Sequence, residues 1–117
     1  MTKPDATEVA VERIGMAAVI LPGQMDRWRS MIEELKRRAP EHEASRRAKG
    51  VELEYAWLRQ TDDSAIVIIY REGHDLESYT MKIFESDEPF DRWFAEELRA
   101  VHGVDPDLPF PRHERIF

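Results

Sequence analysis

Residues 51–71 read V-E-L-E-Y-A-W-L-R-Q-T-D-D-S-A-I-V-I-I-Y-R. Two runs rich in β-branched, aromatic and aliphatic residues flank the polar Gln60-Thr61-Asp62-Asp63-Ser64. That pattern predicts a β-hairpin. Alternation places Val51, Leu53, Tyr55 and Trp57 on one face of its first strand, and Glu52, Glu54, Ala56 and Leu58 on the other. The second strand, 65–71, is apolar on both faces through Ile66, Val67, Ile68 and Ile69. With the turn centred near Asp62-Asp63, paired residues have numbers summing to about 125, which sets Glu54 opposite Arg71. A slip of one residue would put Tyr70 on the face of Glu54 and turn Arg71 away, so the two arrangements exclude each other.

Working outward, Val11 to Leu21 reads as another strand. Ile14, Met16, Ala18 and Ile20 point one way, and Gly15, Ala17, Val19 and Leu21 the other. Little charge beyond Arg13 interrupts it, so it is expected to be covered on both faces. Pro22-Gly23 ends it. A helix over 24–38 follows from the spacing of Trp28, Met31, Ile32 and Leu35. Ala39-Pro40 breaks it, and a short helix over 41–49 closes on Gly50. Beyond the hairpin, Gly73-His74 is a turn and Asp75 a potential N-cap for a helix over 76–84. Ser86-Asp87-Glu88-Pro89 is a second start signal, for a helix to His102 that buries Phe90, Trp93, Phe94, Leu98 and Val101 and stops at Gly103. Three prolines make 104–111 an extended loop, and Arg112 to Phe117 is a candidate terminal strand. Residues 1–10 are expected to form a flexible tail and 11–117 a single domain.

The predicted order, β-α-β-β-α-β, gives an α+β, ferredoxin-like antiparallel sheet with its helices on one face. The strands that are apolar on both sides then leave one sheet face bare, and a bare apolar face of that size is an association surface. The expected answer is a homodimer with its sheets face to face. The alternative is a monomer with its tail folded across the open face.

The element order resembles the dimeric α+β barrel superfamily, and more narrowly an uncharacterised family of small bacterial proteins within it. The resembling pieces are Leu21-Pro22-Gly23, Gly50-Val51 with Glu54, Tyr70 with Asp75, and Ser86 to Asp91. The resemblance implies a dimeric barrel whose cavity takes a small organic molecule. Some members are cofactor-free monooxygenases, cyclases or isomerases. No haem-degrading or monooxygenase site pattern is matched by residues of this chain.

Composition narrows the function classes. Of 117 residues, 42% are apolar and 35% charged, with a net charge of −7 and no cysteine. That charge argues against nucleic acid, whose phosphates call for a basic face. Arg37, Arg38, Arg46, Arg47 and Lys49 cluster, but Glu41 and Glu43 interleave with them as on a solvated helix. Disulfides, thiolate metal sites and cysteine nucleophiles are excluded. No apolar run reaches the roughly 18 residues of a membrane span, and the first residues lack a signal-peptide core. The expectation is a soluble, cytoplasmic protein.

Three residues are candidates for acid–base chemistry. Glu54, in a partly apolar pocket, would have a raised pKa suited to proton transfer. Its plainer role is an ion pair, with Arg71 the natural partner. His74 lies at a strand end, where Asp75 could orient it. The plainer reading is a turn plus an N-cap, which explains Asp75 fully. Tyr70 could present its hydroxyl to a ligand carbonyl. Arg71, Trp57 and Tyr55 are the candidate ligand-binding residues, Arg71 for a carboxylate or enolate. His102, at a helix end, suits the dipole as an imidazolium. His42 and His113 invite no role. No spacing matches a metal motif, a nucleophile elbow or a phosphate-binding loop, so no metal and no cofactor are expected. The expected function is binding of a small organic molecule, with or without catalysis, or else a structural or accessory dimer with no ligand.

Overall fold

The computed structural model describes residues 10–117. The tail expected over residues 1–10 lies, apart from Ala10, outside the described residues. The chain is α+β. Three strands, β1 (Glu12–Val19), β2 (Val51–Gln60) and β3 (Ala65–Gly73), form an antiparallel sheet in the order β1-β3-β2. Helices α1 (Met25–Arg37) and α2 (Ala39–Ala48) join β1 to β2. A 3₁₀ turn (Leu76–Ser78), α3 (Tyr79–Glu85) and α4 (Pro89–His102) follow β3.

The hairpin forms in the predicted register. Glu54 pairs with Arg71 and Tyr55 with Tyr70. One strand face points at the helices. Ile14, Val67, Ile69 and Leu58 pack there against Trp28, Met31 and Leu35 of α1, Tyr79 and Ile83 of α3, and Phe90, Phe94 and Val101 of α4. Trp28 and Leu35 are core residues, as their spacing predicts. Ile20 N–H donates to the Ala65 carbonyl and Leu21 N–H to the Val101 carbonyl, which ties the end of β1 to both β3 and α4.

Four expectations need correction. The first is the face of Val51. A bulge between Val51 and Leu53 inserts Glu52 as an unpaired residue. This flips Val51 to the helix side, where it is 1% exposed. The two residues do not share a face, because a bulge reverses the alternation. Gly50 and Gly73 allow the close approach beside it. A Cβ on Gly50 would stand 2.2 Å from the His74 carbonyl oxygen, and one on Gly73 1.9 Å from that of Gly50.

The second is the terminal strand. Residues 103–117 contain no strand, so the sheet is a small three-stranded one and not a complete ferredoxin-like β-α-β-β-α-β unit. At the outer edge of β1 the Ala17 N–H donates to the His113 imidazole Nε2, at 3.2 Å, and not to a backbone carbonyl. A side chain thus occupies a site that a fourth strand would use, and Pro109 and Pro111 just before it have no N–H to contribute to a ladder.

The third is Asp75. It sits in the left-handed region, with φ 54°, and its side chain caps no backbone amide. The Glu12 carboxylate instead accepts from the Asp75 and Leu76 N–H groups, at 2.8 and 3.4 Å.

The fourth is His102. It is not an imidazolium at a helix end. Burial lowers its pKa, and its Nδ1–H donates to the Val19 carbonyl at 2.7 Å.

Candidate functional site

The two sheet faces carry opposite chemistry. On the helix side, His42 and Arg46 are four residues apart on α2 and so point the same way. Both reach toward Glu54 on β2. Arg71, cross-strand from Glu54, donates Nε–H to its Oε2 at 2.6 Å. Arg46 Nη1 lies 3.4 Å from Oε1, and His42 Nε2 lies 4.0 Å from that same oxygen. The Arg71 guanidinium also sits 4.5 Å above the Tyr79 ring. Burial alone would push the Glu54 carboxyl up. The charge and hydrogen bond of Arg71 outweigh it, aided by His42 and Arg46, and hold it below the usual range. Glu54 is therefore ionised at neutral pH and held between Arg71 and Arg46, the ion-pair arrangement that the predicted register allows.

His42 packs against the rings of Phe90 and Phe94, with centroids 5.9 and 5.6 Å away. Burial, followed by the charge of Arg46, pushes its pKa down to about 4. Its Nε2 is buried without a hydrogen-bond partner among the described residues. The sequence reading passed over His42. The signal was available, since His42 and Arg46 share one face of a short helix that precedes the strand bearing Glu54.

A second buried polar group joins α2 to α4, and sequence reasoning missed it too. Asp91, 2% exposed, accepts from Lys49 Nζ at 2.7 Å, Ser45 Oγ at 2.5 Å and Ser86 Oγ at 2.6 Å. Lys49 Nζ also donates to Ser45 Oγ at 2.8 Å. The aspartate lies in the first turn of α4, where the helix dipole favours a negative charge.

The three acid–base candidates are not brought together. Tyr70 lies on the far face of the sheet from Glu54, as the register requires. His74 stands beyond the strand, with Nε2 3.4 Å from Glu52. The ligand-binding candidates are divided as well. Arg71 faces the helices, while Tyr55 and Trp57 face the open side.

That open side is laid out by the pairing as four rows of three residues from β1, β3 and β2: Arg13–Glu72–Leu53, Gly15–Tyr70–Tyr55, Ala17–Ile68–Trp57, and Val19–Ile66–Arg59. The arginines hold two diagonal corners and the centre is apolar. Tyr55, Trp57 and Val19 are 54%, 55% and 54% exposed, and Ile68 39%. The Tyr70 hydroxyl donates to Glu72 at 2.5 Å. That bond, with the Glu72 charge, raises the Tyr70 pKa and keeps the phenol protonated.

At the β1 margin of this face is a pocket of about 420 Å³, between Arg13, Gly15 and Tyr70 of the sheet and His113, Glu114 and Arg115 of the C-terminal segment. Among the described residues no cluster of three or more His, Asp or Glu side chains could hold a metal. No described helix is long and apolar enough to cross a membrane.

No protein-family model, curated protein or solved structure matches the chain.

Proposed function

We propose that the protein is a self-associating subunit whose copies pair through their open sheet faces and bind a small organic molecule there, without catalysis by Glu54. The observation that supports this is the apolar centre of the four-by-three array, with its charged residues, Arg13, Glu72 and Arg59, confined to the two end rows. Interfaces have this anatomy, an apolar core within a polar rim. Tyr55 and Trp57 alone leave on the order of 200 Å² of aromatic surface in water, given the 150–250 Å² such side chains hide when buried. Three strands of about eight residues cover on the order of 400 Å² in projection. That is within the size of the largest patch on a typical monomer, which is often functional. It is modest beside the roughly 800 Å² per partner of a standard interface, so the dimer is expected to be reversible in the micromolar range.

Binding is favoured over acid–base chemistry because the acid–base groups are already engaged. Glu54 is spanned by Arg71 and Arg46 on the closed face. Tyr70, on the open face, is held as a protonated donor by Glu72. A phenol in that state can bind a ligand but is a poor proton acceptor at neutral pH.

Light scattering or sedimentation at tens of micromolar tests the pairing. Ile68 is central in the array, so Ile68→Asp would bury an unpaired charge at several kcal/mol and is expected to give a folded monomer. A wild-type monomer at that concentration, or an unchanged dimer in Ile68→Asp, would sink the pairing.

A further inference from the structure

Gly15 is a glycine that the fold does not require. Gly23, Gly50, Gly73 and Gly103 all take positive φ, and Gly15 does not. A Cβ on Gly15 would meet no atom within 4 Å. Glycine inside a strand weakens it, and where no bulge or turn explains it the usual reason is that another group must come close. What Gly15 supplies is room. It opens a notch beside the Tyr70 ring, and the C-terminal segment forms the opposite wall.

We infer that this notch is a binding site for a small planar organic monoanion, such as an aromatic carboxylic acid. Its ring would lie over Gly15 against Tyr70, and its carboxylate between the guanidiniums of Arg13 and Arg115. About 420 Å³ is within the range of small-ligand pockets. The wall carries two guanidiniums and the carboxylate of Glu114, and Glu72, which accepts the Tyr70 hydroxyl, lies 3.9 Å from Arg13 Nε. Arg13 and Arg115 each contact an oxygen through Nε, and a guanidinium has five N–H donors, so their Nη groups are the ones a ligand carboxylate would use. His113 adds a donor: its Nε2 accepts the Ala17 N–H, so the neutral ring carries its proton on Nδ1. Guanidinium and carboxylate together make charge-assisted hydrogen bonds, the stronger kind. The inference rests on the ligand-binding half of the function proposed above. One chain supplies the whole lining, so the site is testable apart from the pairing, although Gly15 and Tyr70 also belong to the face proposed to pair.

The test is an amide NMR titration of the full chain with sodium benzoate, and with neutral benzamide, to about 10 mM, with light scattering on the same samples. Benzoate is expected to shift the amides of residues 13–17, Tyr70 and 113–115, and to bind at least about tenfold more tightly than benzamide. Gly15→Leu should fill the notch and abolish those shifts while the rest of the spectrum stays folded. Arg115→Gln, on an exposed segment that cannot unfold the sheet, should weaken benzoate about tenfold and leave benzamide unchanged. The inference is overturned if benzoate gives no shifts, binds no better than benzamide, or still binds Gly15→Leu. It is also overturned if Gly15→Leu changes only the oligomeric state, since the notch would then house a partner's side chain. A monomer that binds benzoate refutes the pairing alone. A dimer that ignores benzoate refutes the ligand site alone.

Discussion

Replacing Asp91 with alanine is expected to be among the most damaging single changes in this chain. The carboxylate accepts three hydrogen bonds in a site where Asp91 is 2% and Lys49 9% exposed. Without it the Lys49 ammonium keeps only the Ser45 oxygens. A buried charge stripped of its partner costs about 3–5 kcal/mol. A domain of this length has a total stability of about 6–18 kcal/mol. With a urea dependence of about 1–3 kcal/mol per molar, the midpoint should fall by about 2 M.

The double variant Lys49→Met/Asp91→Leu separates a buried charge from simple packing. It removes both ions, and such replacements are often neutral or stabilising. It should recover at least half of the loss, the remainder being the two serine hydroxyls left without their acceptor. Equilibrium urea unfolding measures all three proteins. A single-variant loss below about 1 kcal/mol, or a double variant no better than the single, refutes the argument.

The same group predicts an acid limb. Burial would raise the Asp91 carboxyl, but the Lys49 hydrogen bond, the two serine hydroxyls and the lysine charge together lower it. A lowered carboxyl stabilises the fold fully above its unfolded pKa of about 3.9, and that contribution fades as pH falls through the lower folded value. Asp91→Ala should therefore flatten the stability profile below about pH 4.

Two further outcomes are expected. His42 takes its proton near pH 4 in the fold and near 6.5 when unfolded, so the unfolded chain binds protons first. Stability should then be full above about pH 6.5 and fall toward pH 4 by at most about 3 kcal/mol. His42→Phe should remove that slope, and a His42 ring-proton titration with a midpoint near 6.5 would show the imidazole to be exposed. Leu35→Ala should cost about 2–5 kcal/mol in the same unfolding assay, as core truncations do. A loss under about 0.5 kcal/mol would mean that α1 presents another face to the sheet.

The hairpin was legible because two local facts set it. Polar Gln60 to Ser64 placed the turn, and a period of two carried the pairing from there to Glu54 and Arg71. That register also decided between the two exclusive roles of Glu54, since it sends Tyr70 to the other face. What lay beyond was non-local. The bulge at Glu52 follows from the contact of Gly50 with residues 73 and 74, more than twenty positions away, and alternation alone cannot register an inserted residue. The Asp91 group draws on four residues from two helices and the segment between α3 and α4. Singly, Ser86 and Lys49 read as a cap and a solvated charge. The absent fourth strand was masked by Arg112 to Phe117, whose composition suits a strand while its contact to β1 runs through a side chain.

β2 carries the deeper lesson, because its polarity is inverted. In a half-buried strand the charged residue faces water and the aromatics face the core. Here Glu54 faces the helices while Tyr55 and Trp57, more than half exposed, face out. The register is not slipped: Arg71 stands opposite Glu54, with Arg46 and His42 above it, so the charge meets a prepared counter-charge. The Glu54 charge on the helix side is thus paired within the chain. Outward aromatics have no such partner among the described residues. A chain that places its charge inward and its aromatics outward, on the same strand, has two sides in need of covering and covers only one of them itself. The open face is thus where the proposed pairing and the proposed ligand site both have to be tested, with Gly15 the point on it that leaves space and makes no contact.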